Sequence, residues 1–492
     1  MKNFNYYLES TQEIGYVERA TNAIIYANGL PQAKPGEIVV SETEKIGQIL
    51  SLTQDFIEVL MFSSSPPSTG ERVVRTNEFL EIPVGEELLG NVISPLGSSL
   101  EGLKTMRKPR NFFSIYAPPS GILTRKTITR QLETGVSIVD LVLPLGYGQR
   151  QLIIGDRKTG KTNFLLQAVL TQAQLGNICV YAAIGKKMLD IKTLKEFFEE
   201  HDILKNVIIV ASGSEHPPGI TYLAPYSAMT IAEYFKDQGR DVLVVLDDLS
   251  THAKFYREIS LLGKRFPGRN SYPGDIFYRH AALLERAGNF ITPNGEKSIT
   301  CLPVAETTQG DLSGYIQTNL MSMTDGHLYF DSDLFAKGRR PAINPFLSVT
   351  RVGRQTQTHT QREINREIMS FLTLYEKMQS FLHFGAELNE TTKTTISFGE
   401  GIAKFFEQHS SIIIPVNIQI LLFCLLWNNI MQKKSAGAPA AAEKIIEAYG
   451  KNEAIRKEID SMIQKAVSFN ELLGTISKKG DQLLAEINKY SV

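Results

Sequence analysis

The chain has 492 residues, and its 52 basic side chains are balanced by 52 acidic ones. That length holds roughly two to four domains and is enough to bury several cores. Zero net charge argues against a nucleic-acid binder, which carries a basic excess. The three cysteines, Cys179, Cys301 and Cys424, have no C-x-x-C spacing, which argues against a disulfide framework or thiolate metal site and fits a reducing compartment.

The first residues, Met1-Lys2-Asn3-Phe4-Asn5, form no apolar run, so no secretion signal is expected. Residues 1–77 read as all-β. Apolar patches such as Ala23-Ile24-Ile25-Tyr26-Ala27 and Phe56-Ile57-Glu58-Val59-Leu60 are separated by turn sequences such as Ser63-Ser64-Ser65-Pro66-Pro67, and this spacing predicts a small β-barrel or sandwich. Residues 78–357 alternate strand and helix patterns. Strands are expected at 151–154, 178–182, 207–211, 242–246 and 298–304. Such alternation predicts an α/β domain with a mostly parallel sheet and a ligand at the strand C-termini. Residues 358–492 read as a helical bundle, with helices at 362–384, 401–408 and 412–431, a flexible link at 435–442 and two further helical runs. The most apolar stretch, 412–430, contains Pro415, Asn417, Gln419, Asn428 and Asn429. A membrane span needs about 20 mostly apolar residues, so a buried helix is expected there.

The most informative segment is Gly155-Asp156-Arg157-Lys158-Thr159-Gly160-Lys161-Thr162. It fits G-x-x-x-x-G-K-[ST], follows an apolar strand pattern and precedes a helical one, the context this phosphate-binding loop requires. Its glycines let the backbone curl until successive N–H groups point at phosphate oxygens, and the helix N-terminus adds partial positive charge. Lys161 is expected to neutralise the β- and γ-phosphates, and the Thr162 hydroxyl to bind Mg²⁺. Further on, Val242-Leu243-Val244-Val245-Leu246-Asp247-Asp248 is an apolar strand ending in acids. An acid at such a tip can hold hydrated Mg²⁺, with Asp247 as the candidate. Alternatively, the Asp-Asp pair caps the next helix. A nucleoside triphosphate with Mg²⁺ is the expected ligand.

From these acids the sequence runs on as T-H-A-K-F-Y-R-E-I-S-L-L-G-K-R-F-P-G-R-N-S-Y-P-G-D-I-F-Y-R-H-A-A-L-L-E-R-A. With Pro83-Val84-Gly85-Glu86-Glu87-Leu88-Leu89-Gly90, Tyr222-Leu223-Ala224-Pro225-Tyr226-Ser227, Arg340-Pro341-Ala342-Ile343-Asn344 and Leu347-Ser348-Val349-Thr350-Arg351-Val352-Gly353, it closely resembles the alpha subunit of rotary F-type ATP synthases over nearly the whole chain. The resemblance implies a β-barrel, a P-loop domain and a helical bundle. Three such chains would alternate with three catalytic beta subunits around a gamma rotor, with a peripheral stalk attached. The complex would couple ATP synthesis or hydrolysis to H⁺ or Na⁺ flow at the cytoplasmic face of a bacterial inner membrane, this chain meeting the membrane only through the assembly. It also implies that Glu306 lies near the nucleotide, that Arg340 and Pro341 flank its base with Gln408, and that this chain's own site does not turn over. In the family, alpha subunits read A-I-G-Q-K where beta subunits carry the catalytic Glu. Here the segment reads Ala183-Ile184-Gly185-Lys186-Lys187. A protonated lysine has three donors and no acceptor, so Lys186 cannot act as general base; it would either pair with a γ-phosphate or swing into solvent.

Arg351 matches the family's arginine finger, which reaches into a neighbouring beta site. A planar, permanently charged fork suits charge growing on phosphoryl oxygens, and such fingers are worth about 10³–10⁵ in rate, on the order of 4–7 kcal/mol of barrier. Three departures stand out. The barrel pattern begins almost at once, near Gly15-Tyr16-Val17, without the family's further N-terminal helical segment, which bears on stalk attachment. Lys158 replaces the loop's usual Gln, and Gln408-His409-Ser410 keeps one glutamine of a Q-G-Q step. The stretch Phe384-Gly385-Ala386-Glu387-Leu388-Asn389 resembles the family's rotor-facing F-G-S-D-L-D. A self-sufficient hexameric motor, such as a secretion-system ATPase, would need a catalytic Glu near residue 186. An RNA-translocating hexamer would need a basic, aromatic-bearing barrel, whereas residues 1–77 carry Glu9, Glu13, Glu37, Glu42, Glu44 and Asp55.

Overall fold

The structure is a computed structural model that describes residues 2–101, 107, 109–383, 390–410, 412–430 and 438–490. It falls into two compact units. The first comprises Met1–Thr127, Gly148–Ile154 and Ala173–Thr324 and holds a barrel and a sheet.

Six strands close the barrel: β1 (Gly15–Ala20), β2 (Ile24–Asn28), β3 (Glu37–Ser41), β4 (Ile46–Leu52), β5 (Ile57–Met61) and β6 (Arg72–Phe79). Their order is β1-β2-β5-β4-β3-β6, closed by β6 on β1, and all six neighbouring pairs are antiparallel. Val17, Ile25, Val39, Ile49, Val59 and Val73 fill its interior, as the alternation of short β-branched runs with turns requires. One element differs from the all-β expectation. An eight-residue helix, Phe4–Thr11, precedes the barrel, with Asn3 as its cap accepting from the Tyr6 N–H. It lays Phe4 and Tyr7 against Val40 and Val74, so the barrel does not begin the ordered chain.

The sheet of this unit contains β7 (Val92–Ile93), β8 (Leu152–Gly155), β9 (Ile178–Lys186), β10 (Val207–Gly213), β11 (Val242–Asp247), β12 (Gly288–Thr292) and β13 (Gly295–Glu306). Its order is β8-β13-β11-β9-β10-β7. Strands β13, β11, β9, β10 and β7 are parallel in sequence, and β12 lies antiparallel on β13. The sheet is therefore mixed. β11 and β10 are buried at every residue, which is why they read as continuous apolar runs without alternation. Helices Met188–Glu200, Pro218–Asp237 and Leu249–Leu262 make the crossovers.

The second unit comprises Ile128–Tyr147, Gly155–Gln172 and Asp325–Val492. It contains helix Lys161–Gln174, which continues past its boundary, and the antiparallel pair β14 (Gly326–Phe330) and β15 (Val349–Thr350). Helices His359–His383, Glu390–Phe405, Val416–Trp427, Ala438–Lys451, Glu453–Lys465 and Phe469–Tyr490 form its helical region. The apolar segment is the buried helix Val416–Trp427, and no helix among the described residues is long and apolar enough to cross a membrane. Three helices, not two, follow the expected link. The first starts at Ala438 within that link, because Pro439 is tolerated in an opening helical turn, where its missing N–H has no intrahelical acceptor. The remainder of the link, 435–437, and the rotor-like stretch 384–389 lie outside the described residues.

Candidate nucleotide site

The residues expected at the nucleotide fall in both compact units. In the second, the chain turns at residues 155–160 and enters helix Lys161–Gln174. Lys161 is buried, and its Nζ donates to the Gly155 carbonyl at 2.7 Å and the Asp156 carbonyl at 2.5 Å. Thr159 Oγ1 donates to the Asp156 carbonyl at 2.8 Å, and Ser332 Oγ donates to Asp156 Oδ2 at 2.9 Å. The loop is thus braced by its own lysine and by a serine from a separate helix, Ser332–Ala336. Arg157, Lys158 and Thr162 are exposed, and Gly160 closes the turn before Lys161.

Arg340 and Gln408 come together in this unit. The Gln408 N–H donates to the Arg340 carbonyl at 2.7 Å, while the Arg340 guanidinium lies 3.4 Å from the Phe335 ring centre and donates to the Phe335 carbonyl at 2.8 Å. Arg340 and Pro341 line a cleft with Phe346, Tyr375 and Phe406. The Gln408 side chain is spent on backbone instead. Its Nε2 donates to the Gly135 and Ile412 carbonyls, both at 2.6 Å, and its Oε1 accepts from the Ser137 N–H at 3.1 Å. Gln408 therefore ties the segment around Gly135 to the chain before helix Val416–Trp427, a structural duty the sequence did not disclose.

Arg351 is exposed, immediately beyond β15. Its N–H donates to the Asp325 carbonyl at 2.9 Å. The Thr350 Oγ1 donates to the Pro144 carbonyl at 3.0 Å, and the Gly353 N–H donates to Thr350 Oγ1 at 3.1 Å. Gly353 packs so tightly that an added Cβ would lie 1.6 Å from the Pro144 oxygen. The backbone on both sides of Arg351 is therefore fixed while its guanidinium projects outward. Burial chiefly, and then the Arg351 charge, hold His327 below its ordinary pKa although its ring bonds the Leu347 carbonyl.

The first unit carries the acids. In the β9–β11 register Ala183 stands opposite Asp247. One residue later the β9–β10 register slips between Ile184 and Lys186, with Gly185 at φ 62°, a left-handed value that glycine adopts freely. Such a slip re-aims the next side chain. The Lys186 Nζ donates to Asp247 Oδ1 at 2.8 Å, and the Tyr181 hydroxyl donates to Asp247 Oδ2 at 2.7 Å. The Lys186 amine does not swing into solvent but takes the strand-tip acid. Asp248 does the other job. It caps helix Leu249–Leu262, accepting from the Thr251 N–H at 2.5 Å. Glu306 ends β13, and its N–H donates to Ser250 Oγ at 3.0 Å.

The electrostatics follow from burial and these pairs. Burial pulls the Lys186 amine down, yet Asp247, Asp248 and Glu306 together outweigh it and hold it above its ordinary pKa. Burial raises Asp248 to about 6 against the opposing pull of Lys186. Burial, then the Asp247 charge, keep the Tyr181 phenol protonated far above its usual range, so it remains a donor to the carboxylate.

Whether these residues suit Mg²⁺ turns on Asp247. Both of its oxygens have protein donors, one of them cationic. A hydrated Mg²⁺, held through water as that ion usually is, would meet a carboxylate that already accepts from these two donors. The strand-tip carboxylate is thus engaged within the chain, and no group of three or more His, Cys, Asp or Glu side chains placed to hold a metal is found among the described residues.

Comparison with known proteins agrees with the motifs. Residues 135–350 match the ATP synthase alpha/beta family nucleotide-binding domain, and residues 357–478 match the C-terminal domain of the ATP synthase alpha/beta chain. ATP synthase subunit alpha 1 of Pseudoalteromonas atlantica is 36% identical across 97% of this chain and 93% of its own length. The chain belongs to the ATP synthase alpha-subunit family. ATP synthase subunit alpha of Neorickettsia sennetsu is 39% identical over 86% of this chain and 84% of its own, and that of Dictyoglomus turgidum 40% identical over 84% and 81%. As an alpha-family member the chain has a nucleotide-binding domain and is part of an ATPase complex. Tyr181, the hydroxyl that shares Asp247, escaped the sequence reading, because an aromatic inside an apolar strand looks like core. Its only sequence signal is a polar-tipped residue five places before Lys186.

Proposed function

We propose that this alpha-family chain binds ATP or ADP without hydrolysing it and lends Arg351 to the catalytic site of a neighbouring beta-type subunit. The observation that carries the reading is the Lys186–Asp247 ion pair. It supports the reading because an ammonium, with no acceptor for a water proton, stands in the segment where the family resemblance puts a beta subunit's catalytic Glu, the general base. Residues Gly155 to Thr162 hold the phosphates in this reading, with Glu306 near the nucleotide and Arg340, Pro341 and Gln408 shaping the base end. A magnesium ion carried by the nucleotide would find the Thr162 hydroxyl, and it would supply charge neutralisation on the phosphate oxygens. Asp247 would have to exchange Lys186 before serving it.

Arg351 supports the second half of the proposal by combining an exposed guanidinium with a pinned backbone. A finger needs that combination, since its value lies in charge already positioned where the transition state develops it. In the assembled complex, divided in this chain near residues 77 and 357, three copies would alternate with three beta-type subunits around a gamma rotor and a peripheral stalk. The whole would couple ATP synthesis or hydrolysis to H⁺ or Na⁺ movement at the cytoplasmic face of a bacterial inner membrane. The purified chain is expected to bind ATP and to show almost no hydrolysis. Turnover of about one per second or faster, within the usual enzymatic range, would reject the silent-site reading.

A further inference from the structure

We propose that the cleft bordered by Arg354, Arg362 and Arg366 is an anion site for a phosphate group that retains a proton. It is distinct from the loop at 155–162 and does not depend on the nucleotide reading above. All of its lining residues belong to the second compact unit.

The cleft encloses about 460 Å³, more space than one orthophosphate fills. Arg354 comes from the short turn Gly353–Thr356, while Arg362, Arg366 and Ser370 recur every four residues along helix His359–His383 and so share one helical face. The three arginines are exposed. Among the described residues none of them pairs with a carboxylate, and no acid lines the cleft. The Arg362 Nε donates to the Gln357 carbonyl at 3.0 Å. Glu363 and Glu367 line a neighbouring cleft with Trp427 and Phe469, and Glu363 accepts from the Phe469 N–H at 2.7 Å. Arg362 also lies in the first turn of its helix, which carries no acid, at the end where the helix dipole favours anions and disfavours cations. An oxyanion would relieve that placement and the mutual repulsion of the three guanidiniums, whose forks match phosphate oxygens.

Gln357 selects the oxyanion. It lines the cleft but is only 3% exposed. Its Nε2 donates to the Leu141 carbonyl at 3.3 Å, and its Oε1 is buried without a partner. A buried acceptor left unmet is costly, and an anion satisfies it only by bringing a proton. Orthophosphate near neutral pH keeps a P–OH, whereas sulfate has none. A carboxylate on an acidic protein surface would suit the arginines but also has no proton to give. Asn365 spends its Nδ2 on the Leu141 and Val142 carbonyls, both at 2.8 Å. That fixes the wall of the cleft before any ligand arrives, which keeps the conformational cost of binding small.

The test is titration calorimetry of the full chain with inorganic phosphate, pyrophosphate and sulfate near neutral pH. Phosphate should bind at least about tenfold more tightly than sulfate, which leaves Gln357 Oε1 unmet. Arg354→Gln and Arg366→Gln, both at exposed positions, should each weaken phosphate about tenfold, while binding should survive Lys161→Gln in the loop at 155–162. Tighter binding of pyrophosphate would identify the phosphoryl end of a larger molecule as the ligand, and equal or weaker binding the free ion; either order supports the site. Equal affinity for sulfate and phosphate would overturn the phosphate assignment. Binding that is lost in Lys161→Gln and unchanged in the arginine variants would put the anion in the loop and overturn the proposal. Absence of phosphate binding up to about 10 mM would overturn it as well, and if Arg366→Gln then weakened association with a beta-type partner, the arginines would be an acidic partner's docking face instead.

Discussion

Replacing Gly353 with alanine tests whether the backbone around Arg351 is what makes it a finger. The added Cβ would lie 1.6 Å from the Pro144 oxygen, with that carbonyl's carbon at 2.6 Å and Thr350 Oγ1 also at 2.6 Å. Cβ atoms essentially never come within 3.0 Å of a heavy atom outside their own residue and its chain neighbours, so the segment must retreat by about 1.4 Å or more. Retreat breaks the Gly353 N–H bond to Thr350 Oγ1 and loosens the Thr350 bond to Pro144, the contacts that set where Arg351 leaves the chain. A misplacement of about 1 Å can cost a hundredfold in rate. Gly353→Ala should therefore lower multisite ATP turnover of the reconstituted head on the order of a hundredfold. ATP affinity of the isolated chain should stay within about twofold, because the substitution touches none of residues 155–162. Measuring both in parallel separates a displaced finger from a damaged nucleotide site, and circular dichroism reports whether the variant is folded. A folded Gly353→Ala chain that supports full turnover would refute the clamp.

Further outcomes follow from buried charge. Arg286 is 2% exposed and forks onto Glu233 at 2.9 and 2.6 Å, onto Thr230 Oγ1 at 2.7 Å and onto the Ile115 carbonyl at 2.9 Å. Arg286→Ala leaves Glu233 without its partner and should cost about 3–5 kcal/mol, read as a large drop in denaturation midpoint; a drop under about 1 kcal/mol would mean the network is dispensable. His252 is fully buried, 3.1 Å from His280 and stacked on Tyr222, and burial lowers its pKa from 6.5 to about 4. The unfolded chain binds that proton more tightly, so the stability this neutral imidazole contributes is whole above pH 6.5 and is lost as pH falls towards 4. The loss totals on the order of 3 kcal/mol. The unfolding midpoint should decline from pH 6.5 to 5, and the slope should flatten in His252→Gln; equal slopes would exclude His252 as the source.

Much of this was legible because the informative elements are local. The apolar runs at 151–154, 178–182, 207–211, 242–246 and 298–304 all emerge as strands, since a strand buried on both faces needs only a short β-rich run. The loop at 155–162 announces itself by spacing. What escaped depends on contacts distant in sequence. Helix Phe4–Thr11 is too short to show a period, and its stability comes from Phe4 and Tyr7 against the barrel. β12 is an exception, since its partner is local, just across the Pro293-Asn294 turn with Thr292 opposite Gly295. The partner of Lys186 could not be read locally, because register between β9 and β11 puts Asp247 beside it from far along the chain. The sequence singled out Asp247 for a metal and left the helix cap to the pair as a whole. The fold separates them, one onto a lysine and a tyrosine and the other onto a helix N-terminus.

The division of labour between a silent site and a lent cation is tested most directly by Arg351→Ala, assembled with beta-type and gamma partners. The account predicts that ATP affinity of the variant chain alone is unchanged, while multisite turnover of the assembly falls at least about a hundredfold, within the range such arginines supply. An assembly that turns over at the wild-type rate would contradict it.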